Sequence, residues 1–212
     1  MWKFFSDKIL GKNKHVFCCG YSVLLWIGLG YVLGSIPFGV LISMGLKGID
    51  PRKVASRNSG ATNVYRTVGW SGAILVALSD VLKSMVPVYY ILKVLERPNL
   101  AMVVALSCVL GHIWSCFLRF KGGKGIATGA GSLFPFVPYL VIVSIIFWLL
   151  ITRWTRYAFL ASSVCAAVVL VGGVIFSPYP FFGYLALSMG GVILFSHKQN
   201  FIRFIQGKEH KI

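Results

Sequence analysis

The sequence predicts an all-α integral membrane protein of seven transmembrane helices, some of them short or broken. Three observations predict it. Hydrophobic residues make up 57% of the 212-residue chain, and its mean hydropathy is +0.79. Charged residues amount to 12%, about half the share usual in soluble domains. Those charges are clustered, and the runs between clusters are long enough to cross the hydrocarbon core.

The apolar runs lie at 16–46, 67–92, 100–118, 126–152, 158–176 and 181–196. The first is too long for the core of a cleaved signal peptide, so an uncleaved first helix is expected. Residues 1–15 mix aromatics with lysines, which suits a short extension lying along the interface ahead of one multi-span domain at 16–212. The fourth run carries Phe134-Pro135-Phe136-Val137-Pro138 near its middle. Two prolines there remove backbone donors, giving either one kinked helix or two passes, the first of them short.

Basic residues help to choose. With seven spans and an outside amino terminus, 14 Lys and Arg fall inside and six outside. With six spans and both ends inside, the division is 12 and eight. The positive-inside rule favours seven, although the four lysines before the first run oppose it. Seven spans put loops 47–66, 119–125 and 153–157 and the tail 197–212 on one cytoplasmic face.

The formal charge of +16 is read as attraction to anionic lipid and an anionic substrate rather than to nucleic acid. Cys18, Cys19, Cys108, Cys116 and Cys165 all sit in apolar runs without metal-binding spacing and read as packing residues. No pattern suggests a zinc site, a cofactor, a serine-hydrolase elbow or an obligate protein partner. A nucleotide P-loop is absent, because Leu118 stands where its first glycine would fall.

Chemistry concentrates in a few stretches. Arg119-Phe120-Lys121-Gly122-Gly123-Lys124-Gly125 is a flexible cationic loop at a membrane surface, suited to a phosphate. The loop from Asp50 to Arg66 is dense in hydroxyl, carboxamide and guanidinium donors, more than lipid headgroups alone require. Gly34-Ser35-Ile36-Pro37-Phe38-Gly39 either kinks the first helix for close packing or opens a cavity at membrane depth. Asp80 and Lys83 share a helix face, which favours a structural ion pair over direct catalysis, and His112 reads as a hydrogen-bonded interfacial residue rather than a base. His197 and Asn200 share a face if the last helix continues, either contacting a phosphate or capping that helix.

In order, these segments resemble the bacterial membrane acyltransferases that use acyl phosphate to acylate glycerol 3-phosphate. The likeness rests on Gly34-Ser-Ile-Pro-Phe-Gly39, Asn58-Ser-Gly-Ala-Thr-Asn-Val-Tyr-Arg66, Gly111-His-Ile-Trp114, Phe120-Lys-Gly-Gly-Lys-Gly-Ile-Ala-Thr128 and His197-Lys-Gln-Asn200. It implies seven helices with a cytoplasmic active face. It also implies that Ser56, Arg66, Lys124, Ser162, His197 and Asn200 line a phosphate pocket, with Asn58, Thr62, Asn63, Gly122, Gly123 and Gly125 as secondary candidates. Ser56, Arg66, Lys124, His197 and Asn200 are the expected catalytic set. The chain departs from the family pattern at Ala55, Arg57, Ser84 and Ser115, where the family has glycine, glycine or lysine, glycine and proline. A transporter of a phosphorylated metabolite would also use broken helices and intramembrane charge, but no inverted repeat is visible.

Overall fold

The computed structural model describes residues 22–177, 179 and 181–212. The interfacial reading of residues 1–15, and Cys18 and Cys19, lie outside them. No strand occurs among the described residues.

The first apolar run forms α1 (22–35) and α2 (Phe38–Lys47), separated at Ile36 and Pro37. The motif kinks the first run and permits close helix packing. Gly34 and Gly111 let α1 and the helix Pro98–Ile113 approach closely: an added Cβ would lie 2.1 Å from the Cys108 carbonyl oxygen at one and 2.2 Å from that of Tyr31 at the other. The break also frees the Ile36 carbonyl, which accepts from the Lys83 ammonium at 3.0 Å.

A polar stretch with a 3₁₀ turn at Pro51–Lys53 leads to the short α3 (Ala61–Thr67). α4 (Trp70–Tyr89) contains Pro87, whose missing N–H weakens the last turns, and the helix continues as a wider π-type turn, Tyr90–Val94. α5 (Pro98–Ile113) starts on proline, which tolerates a first-turn position. The run 126–152 resolves into two helices, α6 (Ile126–Leu133) and α7 (Pro138–Thr155), split at the two prolines. α8 (Ala158–Phe176), α9 (Phe182–Ser196) and α10 (Lys198–Ile205) follow.

Among the described residues, five stretches are long and apolar enough to cross a bilayer: Ser22–Lys47, Trp70–Val94, Pro98–Leu118, Pro138–Thr155 and Ala158–Ile175. α9 has 15 residues and α6 has eight, which rise only about 22 Å and about 12 Å against a core of about 30 Å. α5 is central, with Ala101, Val104, Ala105, Cys108 and Val109 fully buried among side chains of α4, α6 and α9. α7 is peripheral and exposes Ile142, Ile146, Leu149 and Leu150, an apolar face suited to lipid. Phe201 and Phe204 of the amphipathic α10 pack edge to face on Phe159 and Tyr157 of the α8 start, pinning α10 under the bundle.

Candidate active site

The loop before α3 is organised by one buried side chain. The Asn63 Nδ2 group lies 2.7, 3.2 and 2.8 Å from the carbonyls of Pro51, Val54 and Asn58. Its Oδ1 accepts from the Ser56 backbone N–H and hydroxyl at 3.0 and 2.9 Å. Asn58 Oδ1 in turn accepts from the Gly60 N–H, shaping the entry to α3. Arg52 is held by Asp50 through two bonds of 3.0 and 2.7 Å, which lowers the Asp50 carboxyl below its usual range. That leaves Arg66 as the loop's cation facing inward.

A cavity of about 440 Å³ collects most of the expected residues. Ser56, Asn58, Thr62, Asn63 and Arg66 line it from the first loop and α3, Lys124 and Gly125 from the second, and His197 and Asn200 from the α9–α10 junction. Ala77, Leu78, Ile126, Ile145 and Trp148 supply an apolar wall. Gly125 precedes α6 without a side-chain cap, and Gly125, Ile126 and Ala127 line the cavity.

Three expected phosphate ligands are placed elsewhere. Gly122 and Gly123 donate their N–H groups to the Ile113 and His112 carbonyls, at 2.9 and 3.0 Å. An added Cβ at Gly123 would lie 2.1 Å from His112 Nε2. These glycines permit close packing on α5, whose last carbonyls engage their N–H groups. Ser162 accepts from Trp148 Nε1 at 3.0 Å and faces a smaller apolar cavity of about 80 Å³ behind Ile126, Ala130 and Ile145.

The neutral groups that remain have defined hydrogen-bond polarity. Asn200 Nδ2 donates to the Glu209 carboxylate at 2.7 Å, so its buried Oδ1, which has no partner, is an acceptor. His197 Nδ1 lies 2.8 Å from the Ile193 carbonyl. A carbonyl only accepts, so Nδ1 carries the proton and Nε2 a lone pair. Burial, with Lys124 nearby, pushes His197 down to about 4, so it is neutral at pH 7. Asn200 Nδ2 keeps a second N–H beyond the one given to Glu209, whereas His197 in this tautomer presents only the Nε2 lone pair. The ionic work therefore falls on Arg66 and Lys124. Burial lowers both, most for Lys124, which falls to about 8; Glu209 opposes the shift and Arg203 adds to it.

Asp80 and His112 also line the cavity, unforeseen as neighbours of the site. The Lys83 ammonium uses its three hydrogens on Asp80 Oδ1 at 2.7 Å, His112 Nδ1 at 2.8 Å and the Ile36 carbonyl. Glu209 was missed as well. Its signal was available: it is one of only five acidic residues, set among Lys208, His210 and Lys211.

The sequence profile of the glycerol-3-phosphate acyltransferase family matches residues 24–207. The chain belongs to that family. Among its relatives, the glycerol-3-phosphate acyltransferase of Desulfovibrio desulfuricans is 37% identical over 188 residues, 88% of this chain and 83% of that one. That of Thermotoga petrophila is 40% identical, over 87% of this chain and 93% of its own. The crystal structure of PlsY, an integral membrane glycerol 3-phosphate acyltransferase, in its glycerol 3-phosphate form superposes with a TM-score of 0.83 at 36% identity, covering 90% of this chain and 96% of that one. The lysophosphatidic acid form gives 0.80, covering 90% and 95%.

Two departures from the acyltransferase family pattern carry a local cost. Ala55 and Arg57, flanking Ser56, have φ of 50° and 54°, a left-handed conformation that glycine adopts freely and other residues do not. Ala55→Gly is expected to stabilise the protein by about 1 kcal/mol. A thermal melt in detergent that falls instead would show that the loop does not carry this strain.

Proposed function

We propose that this family member transfers a fatty acyl group from acyl phosphate to the 1-hydroxyl of glycerol 3-phosphate, releasing lysophosphatidic acid and inorganic phosphate for phospholipid synthesis. The observation that carries the reading is the convergence of Arg66 and Lys124, from separate loops, on one cavity with an apolar wall. A substrate pair with two anionic heads and one lipid tail needs that combination. The positive-inside distribution supports an active face and C terminus on the cytoplasmic side of a bacterial inner membrane. It also supports α6 and α9 as two short crossings that complete seven.

The hydroxyl oxygen attacks the acyl carbonyl carbon, the bond from that carbon to the phosphate oxygen breaks, and the phosphate leaves with the electron pair. Acyl phosphate is already activated, so the enzyme aligns the two anions and stabilises the departing charge through Arg66 and Lys124. The reaction requires no cofactor or metal on this route. The hydroxyl proton passes to a substrate phosphate oxygen. Phosphate, with a second pKa of about 6, is basic enough to take that proton directly. His197 Nε2 and Asn200 Oδ1 accept from substrate hydroxyls, and Ser56, Asn58 and Thr62 shape the same wall.

The substrate test supplies purified protein with glycerol 3-phosphate and either acyl phosphate or acyl coenzyme A. The expected products are lysophosphatidic acid and phosphate in equal amounts from acyl phosphate. Transfer from coenzyme A alone would overturn the donor, and substrate flux into liposomes without chemistry would overturn acyl transfer.

A pH dependence follows. In the free enzyme Lys124 is an ammonium below about 8 and loses its proton above it. A bound phosphate favours the charged form, so affinity is full at lower pH and lost as pH rises through that value. kcat/KM should fall about tenfold per pH unit above about 8. A profile flat to pH 9.5 would remove Lys124 as the titrating group.

A further inference from the structure

The tail after α10 touches the site at several points. The chain reverses at Gly207, whose φ is +68°, and the Lys208 N–H closes the turn on the Arg203 carbonyl at 2.8 Å. Glu209 then turns into the cavity wall with its side chain only 4% exposed. One carboxylate oxygen accepts from Asn200 Nδ2 at 2.7 Å and the other from Arg203 Nε at 2.8 Å. The next two carbonyls hold Arg66: His210 accepts from Nη2 at 3.0 Å and Lys211 from Nε at 3.2 Å. The Ile212 N–H donates to the Arg156 carbonyl at 2.9 Å, and the Lys211 ammonium sits 5.5 Å from the Tyr157 ring centre, tying the tail to the α7–α8 turn.

We propose that residues 206–212 form a strap that completes the active site, with Glu209 as a positioning residue that fixes Asn200 and, through the carbonyls behind it, Arg66. The proposal rests on the reading of Arg66 and Asn200 as substrate-facing groups. A buried carboxylate needs charge-assisted partners, and Glu209 finds both on α10. It forms no ion pair with Arg66 or Lys124. A tail acting as a phosphate mimic would bridge those two cations; this one buttresses the cluster and leaves it open. Glu209 is also a counter-ion. The charged and titratable groups around Lys124 are Glu209 on the tail, Arg203 on α10, Arg66 on α3 and His197 at the α9–α10 junction, with Asp80 and His112 farther along the same cavity.

Calorimetric titration of inorganic phosphate into the full-length protein tests the strap without requiring turnover. Glu209→Gln keeps the side-chain shape and removes the charge. Phosphate affinity should fall at least about tenfold, the worth of one charge-assisted hydrogen bond. The alkaline limb of kcat/KM should move below its wild-type position, and Glu209→Asp should recover part of both. Removing residues 210–212 keeps Glu209 but strips the acceptors from Arg66; it should weaken phosphate binding and leave the limb in place. This second variant decides the matter if Glu209→Gln does not fold. Wild-type affinity with an unmoved limb in Glu209→Gln, or unchanged affinity after removal of 210–212, would overturn the proposal. So would tighter phosphate binding in either variant, which would make the tail a plug. A wild-type protein that binds phosphate but forms no lysophosphatidic acid would sink the proposed reaction while leaving this reading standing.

Discussion

Lys124→Ala is expected to lower kcat/KM by roughly a hundredfold to a thousandfold while leaving the protein folded, and Arg66→Ala to do nearly as much. Each removes a cation from a partly desolvated cavity where charge builds on the leaving phosphate, and single preorganised donors in such sites are worth about 10²–10³ in rate. Folding should be spared, because neither side chain anchors a helix: Arg66 bonds only tail carbonyls, and Lys124 gains charge stabilisation mainly when an anion arrives. Steady-state kinetics on detergent-purified variants, paired with size-exclusion profiles, measure both halves. A well-folded Lys124→Ala enzyme within tenfold of wild type would remove that lysine from the mechanism.

Asp80→Asn should act in the opposite way, on folding rather than on chemistry. Asp80 and Lys83 have side chains 3% and 2% exposed and lie 2.7 Å apart. Removing the carboxylate leaves a buried ammonium without its counter-charge, which costs about 3–5 kcal/mol. His112 then loses its place as well, because Lys83 holds its ring nitrogen. The expected result is poor yield and a large fall in melting temperature. Replacing both members, as in Asp80→Leu with Lys83→Met, should recover much of the stability, since no unpaired charge remains. An Asp80→Asn protein that melts like wild type but is inactive would instead make Asp80 a catalytic group.

The helices were legible because charge clusters punctuate apolar runs, and Pro135 and Pro138 marked the split between α6 and α7. The span count was less legible: α6 and α9 are shorter than a bilayer is thick, and apolarity alone cannot separate a short crossing from a packed helix. The site's cations were readable from loop position and charge. The polarity of its neutral groups was not. Which Asn200 groups stay free for a ligand depends on Glu209, nine residues along the chain and brought back by the turn at Gly207. Gly122 and Gly123 illustrate the same limit: a glycine pair signals close approach, but sequence does not tell whether a phosphate or the end of α5 is what comes close.

Titration of glycerol 3-phosphate into the purified protein tests the shared cavity most directly. One molecule should bind per chain, affinity should fall about fivefold between pH 8 and pH 9, and Arg66→Ala and Lys124→Ala should each abolish the heat. Binding that persists in either variant, or that is indifferent to pH over that interval, would contradict a single anion held between those two cations.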